Sequence, residues 1–179
     1  MFLITLFLFV IFVISLVIFI ITKNNILETI TISIGITLYH FAMRLIVGFV
    51  INFIMRNKAN YNNIWFREKK LEEKFYKLIK IHKWKKYLPT YSPDAFDPSK
   101  KTIKKIIGAT CQAEIVHEII MALSLLPISM IPFLGGTDAI IITSVLSMLF
   151  DSLFVILQRY NRPRLIKVMN RFNKNVNKI

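Results

Sequence analysis

The sequence is poor in cysteine, glycine and acidic residues. Its 179 residues hold one cysteine, five glycines and ten Asp or Glu, against 24 Lys or Arg, for a formal net charge of +14. A single cysteine, Cys111, excludes an internal disulfide, and it lacks the partner spacing of a zinc site. Without a basic neighbour Cys111 reads as a buried inert thiol. The familiar soluble-enzyme signatures are missing too. There is no Walker loop, no Rossmann glycine pattern, no Gly-x-Ser-x-Gly elbow, no His-Glu-x-x-His pair and no His-x4-Asp acyltransferase box. No strand alternation and no internal repeat is present. Charge is also missing from the first 22 residues.

What is present is long apolar sequence. Hydrophobic residues make up 55% of the chain, and a helix needs about 20 of them in a row to cross the hydrocarbon core of a bilayer. The run from Met1 to Thr22 meets that length. It has no basic n-region and no Ala-x-Ala cleavage site, so it reads as a retained helix rather than a signal peptide. Lys23-Asn24-Asn25 makes a polar turn. Further spans follow at about 26–55, 106–134 and 139–157, the third bent or ended by Pro127 and Pro132. Gly135-Gly136-Thr137-Asp138 separates the last two. The expected fold is one all-α integral membrane domain over residues 1–179, with four transmembrane helices.

Between the second and third spans, residues 56–105 carry fifteen basic side chains. Ile64 to Tyr87 keeps Leu71, Phe75, Leu78 and Ile79 at helical spacing among lysines, which predicts a basic amphipathic helix at the cytoplasmic membrane surface. A solvated helix packed on its neighbours fits the same pattern. Leu88-Pro89-Thr90-Tyr91-Ser92-Pro93-Asp94 and Asp97-Pro98-Ser99 are turn chemistry. A basic tail follows over 158–179, from Arg159 to Lys178. Seven cations in that tail and fifteen in the middle segment, against Lys23 alone in the first turn, place both termini in the cytoplasm by the positive-inside rule. Positive charge beside apolar spans is explained by anionic lipid headgroups, so no nucleic-acid partner is expected. The Ile, Lys, Asn and Phe bias suggests an AT-rich bacterial genome, hence a bacterial cytoplasmic membrane.

Ionisable groups inside a spanning helix are costly and mark functional candidates. The second span carries His40 and Arg44, four residues apart. The third carries Gln112, Glu114, His117 and Glu118, with the last three on one broad face. The fourth carries Asp151. At about 1.5 Å per residue, Glu114 and His117 lie roughly 14 to 18 Å from the basic end of their span, Arg44 roughly 18 Å and Asp151 about 12 Å. Three acids, one Arg and two His are thus expected to share one polar pocket open to the cytoplasmic leaflet. His117 beside Glu114 has the pattern of a general base oriented by an acid. The alternative is that Arg44, Asp151 and the glutamates only hold helices together. A metal site from His40, His117, Glu114 and Glu118 lacks supporting spacing, and no metal or cofactor is expected. His82 sits among lysines and reads as solvated. Ser124, Ser129, Thr143, Ser144 and Ser147 read as ordinary intrahelical residues.

Four stretches carry a resemblance. Gln158-Arg159-Tyr160-Asn161-Arg162-Pro163-Arg164-Leu165, Ala113-Glu114-Ile115-Val116-His117, Lys83-Trp84-Lys85 and Leu125-Leu126-Pro127 are similar to those of the glycosyl-4,4'-diaponeurosporenoate acyltransferases. Those membrane proteins add a fatty acyl chain to the sugar of a carotenoid glycoside in staphyloxanthin synthesis. The likeness covers roughly residues 80–165 and leaves the first two spans outside it. It implies acyl transfer to a hydroxyl of a lipid or glycolipid, from acyl-CoA or acyl carrier protein. Such chemistry needs a base and an oxyanion donor. His117 fits as base, Glu114 as its orienter, and Arg44 beside His40 as the group facing developing charge. Arg159, Arg162 and Arg164 suit phosphates of a donor, or anionic lipid. Asn161 suits a carbonyl, and Gln158, Trp84, Glu118 and Asp151 complete the candidate substrate-binding set. Competing readings are a lipid methyltransferase or reductase, which would need a nucleotide cofactor, and a small transporter or assembly partner with no catalysis.

Overall fold

Long apolar sequence has formed long helices. In the computed structural model, which describes residues 1–89 and 93–176, four of them dominate: α1 (Phe2–Thr22), α2 (Asn25–Met55), α5 (Ile103–Ser124) and α7 (Thr137–Val176). Between them lie α3 (Lys70–Leu78), α4 (Ile81–Trp84), α6 (Ile131–Leu134) and several 3-10 turns. No strand occurs among the described residues. Four helical segments, Phe2–Thr22, Asn25–Met55, Ile103–Phe133 and Thr137–Lys174, are long and apolar enough to cross a membrane. The multi-pass, all-helical architecture expected from the sequence is the one observed. Thr90, Tyr91 and Ser92 of the expected turn, and Lys178 of the tail, lie outside the described residues.

The chain divides into two compact units. The first comprises residues 1–50 and 118–152, the second 51–117 and 153–179.

In the first unit the Lys23-Asn24-Asn25 turn forms as expected. Lys23 closes α1 in a left-handed conformation, its N–H donating to the Phe19 carbonyl at 2.7 Å, and the Asn24 side chain accepts from the Ile26 N–H at 2.8 Å. α1 is exposed along most of its length, the surface that lipid covers in a spanning helix. It meets α2 through a buried hydrogen bond between the Ser15 and Thr31 hydroxyls at 2.6 Å. Gly35 permits the approach, since a Cβ there would stand 2.9 Å from Cε2 of Phe12. Pro127 has no N–H to return to the Leu123 carbonyl one turn earlier. The Tyr39 hydroxyl donates to that carbonyl at 2.9 Å instead. Helix α5 therefore ends at Ser124, and a 3-10 turn (Leu126–Met130) and α6 carry the chain to Gly135 and Gly136, both at positive φ.

In the second unit α2 ends at Met55, followed by Arg56 and Asn57 at φ 46° and 56°. Gln112 of α5 pins this reversal, accepting from the Asn57 N–H at 2.7 Å and donating to the Asn52 side chain at 3.1 Å. Gly108, one turn before Gln112, faces the Asn57 carbonyl so closely that a Cβ would collide with it.

The basic segment departs from the single helix expected over Ile64–Tyr87. A 3-10 turn (Ile64–Phe66), α3, α4 and a second 3-10 turn (Lys85–Tyr87) replace it. Lys80 adopts a left-handed conformation at φ 50° and breaks the run. The Trp84 indole N–H donates to the Ile79 carbonyl at 2.9 Å, satisfying an acceptor that a longer helix would have used. Amphipathicity survives in α3, with its faces reversed from those of a soluble helix. Leu71 and Leu78 are each 78% exposed and Phe75 points out beside them, while Tyr76 is buried. α7 also differs from expectation, because it does not stop near Leu157. It runs on through Pro163 to Val176, 40 residues in all, or about 60 Å at the usual rise.

Candidate functional site

Two polar centres form, one within each unit. In the second unit the centre is built on Glu114, which sits in the middle of α5 with no exposed surface. Two arginines three residues apart on α7 reach it: Arg159 donates to Oε1 at 2.6 Å and Arg162 to Oε2. Spacing of three puts both guanidinium groups on one side of α7. Arg162 is itself 1% exposed and gives its remaining donors to the hydroxyl and carbonyl of Thr110, at 3.2 and 3.3 Å, and to the Phe66 carbonyl at 3.2 Å. Its guanidinium also lies over the Phe66 ring, 4.8 Å from the centroid.

Arg159 binds a second acid, Glu72 of α3, at 2.6 Å, and donates to the carbonyls of Trp65 and Arg67 at 3.1 and 3.3 Å. Three successive carbonyls, at residues 65, 66 and 67, are thus occupied by two arginines. Two carboxylates and two guanidinium groups leave the cluster neutral, as a low-dielectric setting requires. Tyr76 extends it, donating its hydroxyl to Glu72 at 3.0 Å. Burial, then the Glu72 charge, pushes the Tyr76 phenol above its ordinary range, so it remains a protonated donor. Tyr76 meets Tyr160 edge to face at 5.5 Å. Two cations lie against the Tyr160 ring, Arg164 at 3.3 Å and Lys85 at 5.2 Å from its centroid.

His117, one turn beyond Glu114 on α5, is half-buried, and its ring stacks on Phe154 with centroids 4.6 Å apart and planes 10° from parallel. That contact fixes the imidazole plane. Gln158 is buried nearby in sequence, and Asn161 is half-buried.

The centre of the first unit is smaller. Arg44 of α2 pairs with Asp151 of α7 at 2.5 Å and donates to the Ser147 hydroxyl at 2.8 Å and to the His40 carbonyl at 3.2 Å. Ser147 in turn shares a hydrogen bond with Ser124 at 3.0 Å. Glu118 is half-buried in the same unit.

Of the residues singled out in the sequence, the structure joins Arg44 with Asp151 in one unit and Glu114 with Arg159 and Arg162 in the other. The Arg159 and Arg162 donors expected to face a phosphate are engaged by carboxylates and backbone carbonyls. Arg164, exposed on Tyr160, is not engaged by a carboxylate in any ion pair observed here among the described residues. Trp84 acts locally, through its bond to Ile79. Sequence reasoning missed Glu72, Tyr76, Thr110 and Tyr160. Glu72 alone left a signal, as one of few acids in a strongly basic segment. Among the described residues no group of three or more His, Cys, Asp or Glu is arranged to hold a metal.

Against known proteins, the family model described as glycosyl-4,4'-diaponeurosporenoate acyltransferase matches residues 62–171. The match includes Glu72, Glu114, His117, Phe154, Arg159 and Arg162, and leaves His40 and Arg44 outside. No curated protein and no solved structure gives a significant match.

Proposed function

The chain belongs to the glycosyl-4,4'-diaponeurosporenoate acyltransferase family, and from that premise we propose that it moves a fatty acyl group from a thioester donor to a hydroxyl of a lipid or glycolipid at the cytoplasmic leaflet. The observation that carries this reading is His117, a half-buried imidazole held flat against Phe154, inside the family-matched segment and one turn from Glu114. His117 takes the proton from the acceptor hydroxyl as the oxygen attacks the thioester carbonyl. The imidazolium then returns that proton to the departing thiolate as the carbon–sulfur bond breaks. The products are an acyl ester and a free thiol.

Glu114 holds α5 to α7 through Arg159 and Arg162, and so sets where His117 stands; it is a positioning residue. Arg164 and Lys85 on Tyr160 suit the phosphates of coenzyme A or of a phosphopantetheine arm. That role goes to them because Arg159 and Arg162 are already neutralised. A donor arriving from the cytoplasm fits the charge distribution: residues 56–105 and the end of α7 carry most of the cations and belong inside a bacterial cytoplasmic membrane, with both termini.

The test is lipid profiling by mass spectrometry of cells that carry the gene and cells that lack it. One acylated lipid or glycolipid, heavier than its precursor by a fatty acyl group, is expected only when the gene is present. Identical profiles would remove acyl transfer as the function.

A further inference from the structure

His40 and Ser144 have no part in the chemistry above, yet each is a buried polar group without a partner. His40 is 4% exposed and Ser144 is 0% exposed, and neither ring nitrogen of His40 nor the Ser144 hydroxyl has a hydrogen-bond partner among the described residues. Hydrocarbon supplies no water to repair such a loss, and buried polar groups are otherwise nearly always paired.

Two contacts within the first unit set the register of the helices that carry these groups. A Cβ on Gly136, just before α7, would meet Cγ2 of Ile32 on α2 at 3.0 Å, and further along Arg44 of α2 meets Ser147 of α7 at 2.8 Å. Twelve residues separate Ile32 from Arg44 and eleven separate Gly136 from Ser147, so α2 and α7 run in the same direction in matched register. His40 lies four residues before Arg44 and Ser144 three before Ser147, which puts them within about 2 Å of the same level at the helical rise. Both also face the same seam. His40 shares the Arg44 face of α2, and Ser144, Ser147 and Asp151, at spacings of three and seven, share one face of α7.

We infer that this seam of α2 and α7 is a binding site for the hydroxyl groups of a neutral lipid, held by His40 and Ser144. A neutral imidazole offers one N–H donor and one lone-pair acceptor, and the serine hydroxyl offers both. A hydroxyl group complements each of them. Charge selects against an ionic headgroup, because Arg44, one turn from His40, is already neutralised by Asp151. The surroundings of the unit favour a ligand with a tail over a free polyol: Ile46, Ile142 and Leu146 are exposed on the outward faces of α2 and α7, which face lipid in a spanning helix, so a ligand reaches the seam from hydrocarbon. Bound water offers the same hydroxyl chemistry, and the experiment separates the two sources. The inference does not rest on acyl transfer, since its readout is binding.

The full-length protein, carrying 15N-labelled histidine, is placed in phospholipid nanodiscs and titrated with monoolein, a neutral lipid with two free hydroxyls, or with methyl oleate, which has none. The His40 resonances are assigned by their loss in His40→Asn. Monoolein is expected to shift both His40 nitrogen resonances in the wild type and to raise its thermal midpoint. Methyl oleate is expected to do neither, and Ser144→Ala is expected to weaken the monoolein shift while the protein stays folded. The site is overturned if monoolein and methyl oleate act alike, if neither moves His40, or if His40 shows only cross-peaks to water that monoolein leaves unchanged.

Discussion

The carboxylate of Glu114 and the guanidinium of Arg162 form an ion pair in which both side chains are shielded from solvent, and Arg159 closes the other carboxylate oxygen. Removing the shared acid leaves the buried Arg162 with no carboxylate among the described residues, since only Arg159 has a second acid in Glu72, whereas removing Arg162 leaves Glu114 still paired with Arg159. Glu114→Gln should therefore cost about 3–5 kcal/mol of stability. Arg162→Met should cost distinctly less, and the double variant less than the sum of the two. Denaturant unfolding in detergent, run as a double-mutant cycle, measures this. Additive losses would mean that the two side chains do not act as a pair.

Gly108 is required by the backbone of another segment. A methyl group there collides with the Asn57 carbonyl, and Asn57 cannot easily yield, because its N–H is held by Gln112 and its φ is already positive. Gly108→Ala should destabilise the protein by about 1–3 kcal/mol, the range for overpacking. Gly48→Ala is the control, since nothing stands within 4 Å of a Cβ there. Thermal unfolding of the two variants checks the difference.

Leu71, Phe75 and Leu78 form an exposed apolar stripe on α3, flanked by Lys70, Lys74 and Lys77. Such a helix lies in the headgroup boundary with its apolar side toward the acyl chains. A nitroxide at Phe75→Cys, in a Cys111→Ser background, should be accessible to oxygen from the bilayer. One at Glu73→Cys should be accessible to an aqueous nickel reagent. Equal aqueous exposure at both positions would make α3 a solvated helix.

Orientation has a direct check in the same cysteine-free background. A membrane-impermeant maleimide should label Asn25→Cys in intact cells and Lys86→Cys only after lysis, if the cation-rich segment follows the positive-inside rule. The reverse labelling pattern would invert the topology and with it the side from which a donor arrives.

The spans were legible in the sequence because hydropathy acts locally: each of the four apolar runs became a spanning helix on its own composition. Pro127 as a helix end was legible for the same reason, since a missing N–H is a property of one residue. The length of α7 was not, because the charges after Leu157 look like a tail until Arg159 and Arg162 are seen to be neutralised by Glu114 and Glu72. The pairing of Arg44 with Asp151 was open to a charge argument, both being costly inside a membrane. Glu72 and Tyr76 escaped it, because they lie outside the spans, where an acid or a phenol is ordinary. The single helix over Ile64–Tyr87 failed at Lys80, whose left-handed backbone has no signature in a lysine-rich run.

The central claim is that His117 is the base of an acyl transfer. It is tested most directly with purified protein, a radiolabelled long-chain acyl-CoA and a lipid extract from the producing cells. Wild-type protein should form a labelled acyl-lipid with release of one thiol per ester. His117→Gln, folded to the same thermal midpoint, should form it at least about 100-fold more slowly, as loss of a general base predicts. Product formed at an undiminished rate by the His117→Gln protein would contradict the account.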